Sequence, residues 1–231
     1  MAVLHGDDES LAPRARALAR LAVTLTARPW EFTREIVADA AEQGLDEGQI
    51  EAAIGVIAMF NYFTRVADAS GIEFDYDTPL PAFEPDRGQV TATRPDRSVA
   101  ARLDAGPDAR YRPQPGYPQL REIWDTWRTY VMESDEPLSR RDRRILARVA
   151  AEEATDWAFA ETLDEPARDG DEQLTGFARK LSREPWRMVA GDLDTLRAAG
   201  YSEQAVLHII SVVAHQNADS RLVIGLRTIR A

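Results

Sequence analysis

The 231-residue chain contains no cysteine. That excludes disulfides, thiolate metal ligands and a cysteine nucleophile in one stroke. Histidine is nearly as scarce: three residues, His5, His208 and His215, with no HExxH or comparable spacing. A dedicated zinc site is not expected, and no cofactor or metal is assigned. Long apolar runs are lacking too. The longest, Ala205 to Ala214, falls far short of the ~20 residues of a membrane helix. The N-terminus has acidic residues where a signal peptide has a basic start and an apolar core, so a cytoplasmic protein, not associated with a membrane, is expected. Excess positive charge is missing as well. A net charge of −11 and a pI near 4.8 oppose nucleic-acid binding, and no helix-turn-helix signature appears. A local basic cluster, Arg140, Arg141, Arg143 and Arg144, is interrupted by Asp142 and reads as a solvated face or an intersubunit ion-pair surface.

What the chain does have is an internal repeat. Leu21-Ala-Val-Thr-Leu-Thr-Ala-Arg-Pro-Trp30 recurs as Phe177-Ala-Arg-Lys-Leu-Ser-Arg-Glu-Pro-Trp186, and the register holds without a gap from Ala22/Ala178 to Arg65/Arg221. Over that stretch 11 of 44 positions are identical, among them Pro29/Pro185, Trp30/Trp186, Gly44/Gly200, Asn61/Asn217 and Arg65/Arg221. In each copy a first helix ends near Leu25 or Leu181, before a proline that blocks its continuation. A second helix closes at Gly44 or Gly200, where glycine takes a left-handed turn. A third opens at Asp46, with Gln49 three residues on, or at Ser202. This third helix is apolar nearly all round and belongs in the middle of a core.

No alternating strand is found, so the class is all-α. Residues 11–73 hold the first, partial copy. Residues 74–117 carry seven of the 13 prolines and read as an extended connection draped over the surface. Residues 118–231 hold the second copy together with two helices the first copy lacks. One is amphipathic, with Leu120, Ile123, Trp124, Trp127 and Val131 on one face. The other is a single long helix from Arg140 to about Leu163, capped by Ser139.

The residues that carry chemistry cluster on that long helix and on the last one. Glu153 lies between Val149 and Trp157 on the apolar stripe, flanked by Glu152 and Asp156. Carboxylates there need partners. Either they pair with Arg65 and Arg221, which follow the buried third helices, or they face a substrate. His215, ahead of Gln216, Asn217, Asp219 and Arg221, is the histidine better placed for general acid–base work. His208, seven residues earlier, shares its face. The candidate catalytic residues are therefore His215, Asp156 and Glu153, with Arg221, Asn217 and Trp157 as substrate-binding candidates.

The pattern Leu-Ser/Thr-x-x-Pro-Trp, a helix ending in glycine, then a buried helix closing in Asn-x-x-x-Arg resembles the carboxymuconolactone decarboxylase and AhpD-like alkylhydroperoxidase superfamily, most closely its peroxidase-related members. The resemblance covers 118–231 as a full module and 11–73 as the trailing half of another. It implies an all-helical, usually oligomeric fold of one and a half modules, with pockets at helix and subunit interfaces. The resemblance also places the family's redox cysteines at Thr155 and Ala158 and its histidine near Thr162, so thiol peroxidase chemistry is excluded. In decarboxylase-like members an acidic–Trp pair precedes a histidine. Here the pair survives as Asp156-Trp157 and the histidine position is Ala160.

Two functions follow. One is a cofactor-independent lyase or isomerase acting on a small organic acid or lactone, with Asp156 or Glu153 and His215 moving protons and Arg221 or Asn217 orienting the substrate. The other is a non-catalytic binding or scaffold relative that has lost the family's active site. Homo-oligomerisation is expected in either case, because a half module leaves apolar helix faces uncovered.

Overall fold

The computed structural model describes residues 10–72, 92–96, 112, 114–163, 165, 168 and 170–230. These residues are helical, without strands among them, as the sequence class requires. The first copy comprises α1 (Pro13–Ala27), a single 3-10 turn at Pro29–Glu31, α2 (Arg34–Glu42) and α3 (Glu47–Ser70). The helices α4 (Pro118–Glu133), α5 (Arg140–Glu153) and α6 (Trp157–Ala160) follow. The second copy is α7 (Asp171–Arg183), a 3-10 turn at Pro185–Arg187, α8 (Ala190–Ala198) and α9 (Glu203–Arg230). Most of the 74–117 connection lies outside the described residues.

The repeat is a repeat of structure. Both 3-10 turns, both second helices and the starts of α3 and α9 fall at the same register, 156 residues apart. Gly44 and Gly200 close the second helices with φ of 85° and 94°, the left-handed region that costs a side chain energy. Asp46 and Gln49 form the expected reciprocal cap: Gln49 N donates to Asp46 Oδ1 (2.8 Å) and Asp46 N to Gln49 Oε1 (3.1 Å).

The central helices α3 and α9 cross antiparallel. Arg230 reaches Glu51 at one end, while Ala69 shares a core with Ile210 at the other. Two apolar clusters flank this crossing. One gathers α1, α2 and α3 with the C-terminal half of α9. The other gathers α5, α7 and the N-terminal half of α9. At the crossing, a Cβ on Gly225 would lie 2.6 Å from Ile54 Cγ2. Ile54 is fully buried and β-branched, so it cannot swing aside. Gly225→Ala is expected to destabilise the fold by about 1–2 kcal/mol despite alanine's better helix propensity, and Gly225→Leu by more. Urea unfolding of the two variants measures this; equal stability would mean that the helices can part freely.

Three expectations are corrected. The helix predicted over 140–163 breaks after Glu153: Thr155 adopts φ 63°, and Asp156 N bonds back to Ala151 O (2.9 Å) before α6 starts. On α4, Trp124 and Val131 are buried, whereas Leu120 and Ile123 face outward. The third helices also differ. α9 is enclosed along most of its length, but α3 exposes Val56, Phe60 and Phe63. Among the described residues α3 is the one helix long and apolar enough to cross a membrane by length and composition. Its Asn61 and Arg65, however, are buried and hydrogen-bonded inside the chain.

Candidate functional site

The predicted site residues divide into two groups with different partners. Asp156 and His215 belong to a buried polar centre beneath α4. Here Arg112, arriving from the proline-rich connection, bridges two carboxylates. Its guanidinium lies 3.1 Å from Asp156 and pairs closely with Asp219. Both carboxylates are buried. Ser220 Oγ donates to Asp156 (2.9 Å), Gln216 Nε2 to Ser220 Oγ (2.9 Å) and Trp124 Nε1 to Asp219 (2.9 Å). The guanidinium carbon also sits 3.7 Å from the centroid of the Phe159 ring, a cation–π contact.

The break at Thr155 creates this arrangement. A continuous helix would carry Asp156 onward in α-helical register; the left-handed residue turns the chain, and the carboxylate lands opposite Ser220. Burial pushes the Asp156 carboxyl up, with Arg112 and Ser220 working against that. Burial acts the same way on Asp219, but Arg112, His215 and the Trp124 N–H hold it below its usual range. The two carboxylates therefore differ in proton affinity, as coupled neighbours around one cation do.

His215 is fully buried against Trp127, whose ring meets it edge-on at 4.5 Å. Burial drives its pKa down to about 4, Arg112 and Arg128 adding to this and Asp219 opposing it. The imidazole is neutral at pH 7, and neither ring nitrogen has a hydrogen-bond partner among the described residues. A cavity of about 440 Å³ opens nearby, lined by Arg112, Gln114, Arg128, Met132, Arg144 and Phe159 among others; neither Asp156 nor His215 lines it.

Glu153, Asn217 and Arg221 lie instead at the junction of the two copies. The expected pairing of the carboxylates with Arg65 and Arg221 is not what forms. Glu153 is met by Arg94 (3.6 Å), Arg179 (3.4 Å) and Arg183 (3.5 Å). Arg94 also stacks over Trp157, 5.0 Å from the ring centroid. Arg65 and Arg221 cap helix ends by exchange. Arg65 Nη2 donates to Ser182 O of α7 (2.9 Å), and Arg221 Nη2 donates to Thr26 O of α1 (2.8 Å). Each arginine is steadied by the asparagine one turn earlier: Arg65 Nη1 to Asn61 Oδ1 (2.7 Å), Arg221 Nη1 to Asn217 Oδ1 (2.9 Å). Those asparagines donate to Thr26 Oγ1 (2.9 Å) and Ser182 Oγ (2.8 Å). The conserved register of the repeat is thus a set of reciprocal contacts between its copies, and Asn217 and Arg221 have structural work in it.

Of the basic cluster, Arg140 is exposed beside Glu133 and Asp135, as expected of a solvated face, while the other three arginines are engaged within the chain. Arg143 is wholly buried, donating to Leu138 O (3.0 Å) and Val131 O (2.8 Å) and meeting His208 Nδ1 at 3.0 Å. Arg141 and Arg144 pair with Asp171 (2.7 Å) and Glu165 (2.6 Å) of the same chain.

Sequence reasoning missed Arg112, Asp219, Trp124 and Ser220 as members of the polar centre. The spacing Gln216–Asp219–Ser220 on an otherwise apolar helix was the available signal; Arg112 had none. Among the described residues no group of histidine and carboxylate side chains is placed to hold a metal ion. No family model, curated protein or solved structure matches the chain.

Proposed function

We propose that the chain is a cysteine-free, non-catalytic relative of the carboxymuconolactone decarboxylase and AhpD-like superfamily, acting as a self-associating helical binding protein. The carrying observation is the state of the Asp156–His215 centre. A general base needs a proton to take and a substrate within reach. His215 is enclosed by tryptophans, and Asp156 and Asp219 are committed to Arg112 away from the neighbouring cavity. The centre serves to lock the connection, α4, α6 and α9 together.

Self-association is supported by the first copy's counterpart of this centre. At the positions of His215, Gln216, Asp219 and Ser220, all buried beneath α4–α6, the first copy carries Met59, Phe60, Phe63 and Thr64. Phe60 and Phe63 are 61% and 54% exposed, and Val56, one turn before Phe60, is exposed on the same helix. A ring contact chain, Phe60–Phe63–Tyr62–Trp127, joins α3 to α4. Exposed apolar side chains of this kind, contiguous along one helix, are the surface that an interface between subunits buries. We assign this face to a second copy of the chain, related by a two-fold axis so that α3 packs against its counterpart.

Two measurements test the reading. Turnover of a panel of small lactones and carboxylic acids should match the protein-free rate. Any turnover that collapses in Asp156→Asn or His215→Phe would sink the non-catalytic assignment. Light scattering after size exclusion should give a dimer or larger for the wild type and a monomer for Phe60→Glu/Phe63→Glu. A monomeric wild type, or one that sediments with lipid vesicles through this face, would overturn self-association.

A further inference from the structure

A second cavity, about 560 Å³, lies on the seam between the two copies, within the size range of small-molecule sites. Its walls repeat themselves: Trp30 and Trp186, Arg65 and Arg221, each pair related by the internal repeat. Around it stand Arg28, Arg94 and Arg183, and Glu153 is the one carboxylate among the described lining residues. Arg28 is paired with Glu31 outside the cavity (3.2 Å), and Arg94 and Arg183 share Glu153, which leaves Arg65 and Arg221 as the lining cations without a carboxylate partner among the described residues.

The two central arginines are poorly compensated. Both are buried, and among the described residues neither has a carboxylate within ion-pair distance. Asp68 acts on Arg65 only from farther away. Burial lowers the pKa of both, Arg65 to about 10, and Arg65 depresses Arg221 further. Their carbonyl and asparagine contacts supply dipoles, not countercharge. Arg65 Nε, buried, and Trp186 Nε1 have no hydrogen-bond partner among the described residues. A concave site with two buried like charges acting on one another, an unused guanidinium donor and two indole side chains in its walls suits an anion.

We propose that this groove binds a small organic anion carrying an aromatic ring: its oxyanion on the buried arginines, its ring against Trp30 and Trp186. Guanidinium groups match planar oxyanions bidentately, and indole faces take up flat apolar groups. The site is separate from the Asp156–His215 centre and gives the binding reading above its ligand class. A carboxylate and a phosphate ester offer the same chemistry, so both are probed.

Calorimetry on the full chain uses 2-naphthoate, adenosine monophosphate, inorganic phosphate and the neutral 2-naphthalenemethanol. Saturable binding of naphthoate or of the nucleotide is expected, about tenfold or more tighter than phosphate alone or the neutral alcohol. The stronger of the two aromatic probes identifies the oxyanion. Because Arg65 and Arg221 hold the copies together, Arg94→Gln and Trp186→Leu are the test variants. Each should weaken binding about tenfold with the far-ultraviolet spectrum unchanged. No binding of either aromatic anion, equal binding of the neutral alcohol, or variants that bind like the wild type would each overturn the inference. Should neither anion bind while turnover stays absent and self-association holds, this inference fails alone and the binding-protein reading keeps its scaffold form.

Discussion

Arg112→Met should lower the unfolding free energy by about 3–5 kcal/mol, because it strands two buried carboxylates that now share one cation. Asp156 already has one oxygen, Oδ1, without a hydrogen-bond partner among the described residues. Removing the guanidinium leaves only the Ser220 hydroxyl on the other oxygen. Combining the change with Asp156→Asn and Asp219→Asn should recover most of the loss. Neutral amides still accept from Ser220 and from the Trp124 indole, and there is no longer a buried charge to neutralise. Urea denaturation of the single and triple variants decides the matter. A single-variant loss below about 1 kcal/mol would mean that water already reaches the pair.

His215→Phe should flatten the acid limb of the stability profile. Folded His215 titrates at about 4, while an unfolded histidine titrates near 6.5. In between, the unfolded chain holds the extra proton, so stability rises with pH across that window. The contribution is fully present above pH 6.5 and is lost as the pH falls toward 4, amounting to about 3 kcal/mol. His208, lowered by burial and by Arg143, acts in the same direction. Asp156, raised by burial, acts against it. The quantity that belongs to His215 is therefore the difference between wild type and variant, measured at pH 7.5 and pH 4.5. Phenylalanine keeps the edge contact with Trp127 and cannot titrate. Parallel pH profiles for the two proteins would show that the imidazole is charged or solvated in the fold.

Features governed by neighbours in sequence were readable before the structure. The glycines at 44 and 200, the Asp46–Gln49 cap and the prolines at 29 and 185 act within one helical turn, and each sits where its chemistry requires. The break at Thr155 was not readable. Threonine carries no signal for a left-handed backbone, and the strain is held by contacts formed elsewhere. Long-range pairing was the other blind spot. Asp156 clearly needed a cation, but its partner comes from a proline-rich segment with no periodicity to place it. Arg65 and Arg221 clearly needed acceptors, and carboxylates were the natural guess. The acceptors are carbonyls at helix ends, which the repeat alone could have suggested, since both arginines and both Thr/Ser positions recur in register. Burial of α9 and exposure of α3 likewise depend on helices that only the second copy possesses.

The arginine exchange between α3, α7, α9 and α1 has the form of a subunit interface enclosed in one polypeptide. In an assembly of identical subunits, every substitution is made at all equivalent positions at once, so a face cannot turn polar on one side and greasy on the other. Joining the copies in a single chain removes that coupling. Positions 215, 216, 219 and 220 are free to become a buried polar cluster while 60, 63 and 64 stay exposed. The contacts that must remain common to both halves are those at the seam, and there the side chains are still matched pair by pair.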